Sequence, residues 1–216
     1  MKVLHGLDTR SKLDLYAGRL AACGFDFAVR YYGRNPARNL TRPEALALAD
    51  AGLELGAIWE AEGYRGEYFS YEQGLADGLA AQRMARDEIG QPAGSAIYFA
   101  VDFDPSGSEL VGPVTHYFKG IRTAFEAAPA DQRYLVGIYG SGTCCRAMLY
   151  ARLARFGWLS QSRGYAGYLD YSEYNLKQLA ADTLRGDGLA PLHFDRNQSN
   201  PLQQTGLFTI RATAEV

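Results

Sequence analysis

The chain of 216 residues carries 22 Lys and Arg against 24 Asp and Glu, with 47% hydrophobic and 12% aromatic residues. That apolar content, with a formal net charge of only -2, excludes a mainly disordered chain. The same balance, with no local run of Lys and Arg, offers no electrostatic hold on a polyphosphate, so no nucleic-acid partner is expected. The purely apolar runs fall well short of the roughly 18 residues of a membrane span, and a soluble chain is expected. Lys2, His5 and Asp8 interrupt the first ten residues where a signal peptide needs an apolar run. Cytoplasmic synthesis is therefore expected, with any delivery to a cell wall by a non-classical route. Cys23, Cys144 and Cys145 are too few and wrongly spaced for a disulfide framework or a zinc site, and are read as buried small apolar residues.

In chain order, short β-rich runs alternate with segments of helical spacing. A strand over Val3 to Leu7 precedes a helix over Lys12 to Cys23. A strand over Phe25 to Tyr32 precedes a helix over Pro43 to Ala51, with Thr41 as its cap. Strands over Leu55 to Glu60, Ala96 to Phe103 and Tyr134 to Tyr139 precede helices over Tyr71 to Ile89, Ser108 to Ala128 and Ser141 to Ala154. A strand over Gly157 to Gln161 precedes a helix over Ser172 to Ala181; a weak strand near Leu184 to Leu189 and one over Pro191 to Asp195 end the series. No linker interrupts it, so residues 1–216 are read as one domain. The alternation predicts an α/β fold, a single (β/α)8 TIM-like barrel with irregular or incomplete later units; a doubly wound open sheet is the rival.

A barrel brings the carboxyl ends of its strands to one mouth. Residues two apart on a strand share a face. In the fourth run Ile97, Phe99, Val101 and Phe103 form an apolar set for the helices, leaving Tyr98, Ala100, Asp102 and Asp104 inward. The same partition turns Asp8, Glu60, Tyr139, His193, Asp195 and Asn197 inward. On the second run it sets Phe27, Val29 and Tyr31 against the helices and Ala28, Arg30 and Tyr32 inward. The acids Asp8, Glu60, Asp102, Asp104 and Asp195 then surround Arg30 at one opening, where repulsion and burial raise the pKa of at least one. A protonated acid beside an ionised one is what glycosidic cleavage requires. Tyr32, Tyr139 and Trp59 are candidate faces for stacking sugar rings.

Gly6-Leu7-Asp8, the segment from Tyr98 to Asp104, Gly137 to Gly140, Gly157 to Gln161 and Phe194 to Gln198 together resemble the phage-endolysin type of 1,4-β-N-acetylmuramidase. With Val29-Arg30-Tyr31-Tyr32 included, the chain more closely resembles a bacterial glycoside-hydrolase-like domain family related to those lysozymes. The resemblance runs from Gly6 to about Gln198 and rests on the order and spacing of the motifs. It implies catalytic acids at Asp8, Asp102 and Asp195, with Asp104 as proton donor where the muramidases carry Glu; Glu60, from its strand-end position alone, is a reserve acid. Arg30, Tyr32, Trp59, Tyr139 and Gln161 are the candidate substrate-binding residues. The implied substrate is peptidoglycan or another polysaccharide, cleaved by a monomer without cofactor or metal.

Blander readings stand beside these. The acids could satisfy Arg30, loop amides and helix ends in an inert scaffold, or a carbohydrate-binding barrel without turnover. A carboxylate cluster could hold Mg²⁺ or Ca²⁺, but no calcium-loop spacing is present. Gly137-x-x-Gly140-x-Gly142 lacks the glycine order of a dinucleotide loop, and Ser141 lacks the glycines of a nucleophile elbow. A barrel enzyme on a phosphorylated substrate would want a glycine nest late in the chain, where only Gly186 and Gly188 stand. The segment from Glu60 to Tyr71 is a long loop that either shapes a groove or caps the barrel with its tyrosines.

Overall fold

The computed structural model describes residues 2–186 and 188–212. Eight strands close into a barrel in chain order: β1 (His5–Asp8), β2 (Phe27–Tyr32), β3 (Glu54–Trp59), β4 (Ala96–Ala100), β5 (Leu135–Gly140), β6 (Phe156–Leu159), β7 (Leu176–Gly186) and β8 (Leu189–Ser199). β1 to β7 run parallel, whereas β8 is antiparallel to both of its neighbours, β7 and β1. The fold is mixed α/β around a closed barrel, and its last unit departs from the regular (β/α)8 alternation. Only residues 187 and 188 join β7 to β8, and a parallel return needs about a dozen residues of crossover. Gly186 and Gly188 take φ of +111° and +72°, and the chain reverses there as a hairpin. The helix expected over Ser172 to Ala181 is thus a loop running into β7. The weak strand near Leu184 to Leu189 is the hairpin end, with Asp187 outside the described residues.

The helices are α1 (Ala17–Ala22), α2 (Arg42–Asp50), α3 (Tyr71–Arg83), α4 (Gly107–Glu109), α5 (Thr115–Glu126) and α6 (Gly142–Tyr150). α3 continues as a π-helix over Met84–Ile89, and a second π stretch, Leu110–Val114, joins α4 to α5 at Pro113, which has no N–H to donate. The side chains of Ser70, Ser106 and Ser141 cap α3, α4 and α6. Thr41 holds the cap position of α2, but its side chain accepts no bond there.

Two apolar layers result. Phe27, Val29, Ile58, Tyr98, Tyr139 and Trp158 fill the barrel, while Leu55, Phe99, Ile138 and Leu192 pack outward against the helices. This matches the expected partition on β1, β3, β4, β5 and β8 and reverses it on β2. There Phe27, Val29 and Tyr31 face inward, and Ala28, Arg30 and Tyr32 face the outer layer. The physical reason is a buried counter-charge. Arg30, fully buried, donates from Nε to Glu44 Oε1 of α2 at 2.6 Å, from Nη1 to the Thr9 carbonyl, and from Nη2 to the Arg38 carbonyl at 3.2 Å. Tyr32 donates to Gln91 Oε1 at 2.8 Å. Cys144 and Cys145 are buried as expected, but Cys23 is exposed at the end of α1. At the far end of the barrel Tyr98 donates to the Thr205 carbonyl at 2.7 Å and the Ala96 N–H to Gly206 at 2.9 Å, so the segment after β8 closes that opening. No helix among the described residues is long and apolar enough to cross a membrane.

Removing one partner of a buried ion pair leaves the other charge undercompensated, and among the described residues Glu44 would keep only Lys12 Nζ at 3.5 Å and the Leu13 N–H at 3.0 Å. Arg30→Met is therefore expected to destabilise the fold by about 3–5 kcal/mol in urea unfolding; a loss under about 1 kcal/mol contradicts the role given to this pair.

Candidate active site

Asp8 ends β1 and stands in register opposite Asp195 of β8. Its carboxyl is buried, 3% exposed, and held by three donors. Oδ2 accepts Asn197 Nδ2 at 2.7 Å and Gln178 Nε2 at 3.0 Å; Oδ1 accepts the Tyr31 hydroxyl at 3.1 Å. Both amides are oriented from behind. Trp158 Nε1 donates to Asn197 Oδ1 at 2.8 Å, and the Tyr139 hydroxyl donates to Gln178 Oε1 at 2.8 Å. Gln178 Nε2 also reaches Asp195 Oδ2 at 3.2 Å, so one amide nitrogen bridges two acids. Burial pushes the Asp8 carboxyl up to about 7, against the lowering effect of the Asn197 and Gln178 bonds, and the charge on Asp195 adds to the rise.

The facing rim comes from β3 and the turn after β4. Glu60 Oε1 accepts Arg10 Nη2 at 3.0 Å, and the Asp102 N–H donates to the Gly63 carbonyl at 2.7 Å. A Cβ on Gly63 would lie 2.6 Å from the Ala100 carbonyl, so this loop can cross the end of β4 only as glycine. Burial raises both Glu60 and Asp102, with Arg10 opposing the shift in each. The hairpin of β7 and β8 projects past the mouth and walls a cleft of about 600 Å³ lined by Asp8, Arg10, Tyr31, Thr183, His193 and Asp195. His193 Nδ1 lies 3.0 Å from Thr183 Oγ1 on that wall. A smaller cavity of about 130 Å³ adjoins it and shares Tyr31, with Glu60, Arg34 and Arg38 around it.

Of the expected acids, Asp8 and Asp195 line the cleft, Glu60 lines the adjoining cavity, and Asp102 lies near enough to Glu60 and to the Tyr139 hydroxyl for its charge to act on both. Asp104 does not join them: it is exposed, and its Oδ2 accepts the Ala166 N–H at 2.9 Å on the loop after β6. β4 ends at Ala100, so the two-residue alternation does not carry as far as Asp104. Arg30 and Tyr32 face the helices, and Trp59, 5% exposed, packs in the same outer layer; none of these three side chains reaches the mouth. Gln161 sits at the rim, its N–H 3.5 Å from Gln178 Oε1. The long loop after β3 puts Tyr68 and Phe69 against Tyr117 and leaves Tyr64 exposed, mainly a cap on the barrel.

Gln178 and Tyr31 were hidden by a helical reading of β7 and an inverted β2; Arg10 lies in the loop after β1, outside the strand pattern. The signal that recovers Gln178 is Gly186-Asp187-Gly188, a hairpin turn between alternating runs. Among the described residues no three His, Cys, Asp or Glu side chains are grouped as metal ligands.

A family model for the Rv2525c-like, glycoside hydrolase-like domain matches residues 19–199. The YbfG protein of Bacillus subtilis is 34% identical over 132 residues, 59% of this chain; the match spans only 18% of YbfG. Among solved structures, the Tat-secreted protein Rv2525c of Mycobacterium tuberculosis superposes with a TM-score of 0.70 at 19% identity, covering 95% of this chain and 98% of that one. A family 25 glycosyl hydrolase from Bacillus anthracis superposes at 0.55 and 11% identity, covering 91% and 88%. These likenesses are of fold.

Because Asp8 binds its proton more tightly folded than unfolded, its contribution to stability is full below about pH 4 and is lost as pH rises through about 7. Asn at position 8 can accept both amides on its oxygen and donate to Tyr31. Asp8→Asn is thus expected to flatten the fall in stability between pH 4 and 7, and to exceed the parent by on the order of 4 kcal/mol at pH 8. Parallel slopes in pH-dependent urea unfolding contradict this.

Proposed function

The chain belongs to the Rv2525c-like, glycoside hydrolase-like domain family, and from that membership we propose that it is a glycosidase acting on a β-linked amino-sugar polymer, peptidoglycan glycan strands foremost. The observation that supports this most is the pairing of Asp8 and Asp195 in one cleft, with burial raising Asp8 to about 7, and with Glu60 in the adjoining cavity and Asp102 beside it, both raised by burial. Hydrolysis of a glycoside needs a protonated acid at the leaving oxygen and an ionised one to take a proton from water or steady the sugar cation. In this reading the protonated partner is a buried acid, and Asp195 supplies the negative charge. Tyr31 offers a ring in the cleft, Arg10 steadies Glu60, and the chain works alone without a cofactor.

One observation favours a second reading, carbohydrate binding without turnover. Asp104 occupies the position that the muramidase resemblance gives to the proton donor, and its carboxylate is spent on the Ala166 N–H.

The test is release of new reducing ends from purified peptidoglycan. Asp8→Asn and Glu60→Gln are expected to lower the rate by about 100-fold or more, Asp104→Asn by less than about tenfold. Silence from the parent, with retained pull-down on cell walls, establishes the binding module instead. Loss confined to Asp104→Asn returns the donor role to Asp104.

A further inference from the structure

We propose that Gln178 and Asn197 form a directional amide clamp that makes Asp8 the proton donor of the mouth, with its proton held on Oδ1. This assignment rests on the glycosidase reading for its chemistry, and on hydrogen-bond bookkeeping for its geometry.

An indole N–H can only donate, so Trp158 Nε1 at 2.8 Å fixes Asn197 with its oxygen toward the indole and its NH₂ toward Asp8. The Tyr139 hydroxyl, which also meets Ser160 Oγ at 3.1 Å, and the Gln161 N–H at 3.5 Å both meet Gln178 Oε1, and the side facing Asp8 and Asp195 offers carboxylate acceptors to the Gln178 NH₂. Asp8 Oδ2 therefore receives two N–H groups, that of Asn197 fixed by the indole and that of Gln178 by the acids it faces, and both of its acceptor sites are filled. A proton on Oδ2 would displace one of them inside a buried network, at the cost of an unsatisfied donor. Among the described residues Oδ1 meets only the Tyr31 hydroxyl, and Tyr31 lines the cleft. The proton is thus confined to the oxygen on the substrate side.

The charged and titratable groups around Asp8 agree with this assignment. Asp195 stands opposite on β8, Tyr31 on β2 and Tyr139 on β5. Glu60, paired with Arg10, and Asp102 lie on the facing rim, with Asp182 and His193 on the hairpin wall. The Asp195 charge and burial favour the protonated Asp8, while the two clamp amides limit how far its pKa rises. Gln178 and Asn197 are positioning residues, since they act through Asp8.

Asp8 Oδ1 gives its proton to the glycosidic oxygen as the bond from that oxygen to C1 breaks, the electron pair staying on the oxygen. One Gln178 nitrogen holds Asp8 Oδ2 at 3.0 Å and Asp195 Oδ2 at 3.2 Å, which leaves no room between these acids for the water of an inverting reaction. The Asp195 carboxylate therefore bonds to C1 as the leaving oxygen departs; water, giving one proton to the Asp8 carboxylate, then adds its hydroxyl to C1 and frees Asp195 as carboxylate.

The experiment follows the Asp8 Cγ resonance by ¹³C NMR across pH in the full chain, alongside the pH profile of peptidoglycan hydrolysis. Parent Asp8 is expected to titrate near 7. Gln178→Met, which removes a donor, is expected to raise that midpoint by about one unit, and Asp195→Asn to lower it. The alkaline limb of hydrolysis is expected to move up with Gln178→Met, a change that a purely structural role for Gln178 does not produce. Midpoints unmoved in both variants overturn the clamp. Midpoints that move while the alkaline limb stays in place overturn Asp8 as donor. A parent that titrates near 7 but releases no reducing ends overturns the glycosidase reading and the donor role with it, while the shifts still decide the clamp.

Discussion

The pairing of β8 with β1 in antiparallel sense is the contact on which the site depends. In that register Asp8 faces Asp195, while the register between β7 and β8 places Gln178 opposite Asn197. Two acids and the two amides that separate them therefore arrive together as a consequence of backbone pairing. A parallel eighth strand would run the other way, pointing its opposite end at the mouth, and the hairpin wall carrying Thr183 and His193 would not exist. The two-residue connection between β7 and β8 thus shapes the candidate site as well as the topology.

Around that register the barrel assigns different work to its two sides. Inside, Trp158 and Tyr139 fill volume and also spend their polar ends on Asn197 and Gln178, so the packed core reaches directly into the candidate site. Outside, Arg30 and Glu44 form a buried strut whose guanidinium also holds the Thr9 and Arg38 carbonyls. These two contacts lie beneath the loops that carry Arg10 and the cavity beside Glu60. Charges that face solvent in the cleft are thereby supported by charges that never meet it.

How far the site was legible in the sequence follows from which patterns were one-sided. On β4 the set Ile97, Phe99 and Val101 is wholly apolar, and on β8 Leu192 and Phe194 alternate with polar residues, so the inward faces of both could be assigned. On β2 both alternating sets contain an aromatic residue. The single charge, Arg30, has acids to meet on either side of the strand, and it pairs outward with Glu44, fourteen residues later on α2. No strand periodicity contains that partner. The closure of the barrel was legible from the repeated alternation, whereas the reversal at its end needed the two glycines flanking residue 187 to be weighed as a turn. Asp104 shows the limit of the alternation rule, which holds only while the strand lasts and ended at Ala100.

The most direct measurement is a crystal structure of the protein with a bound amino-sugar oligosaccharide. The expected result is a sugar in the cleft, with a glycosidic oxygen within hydrogen-bond distance of Asp8 Oδ1 and a ring against Tyr31 or the wall formed by Thr183 and His193. A sugar seated away from Asp8, beside Asp104 or on the outer face of the barrel, contradicts it.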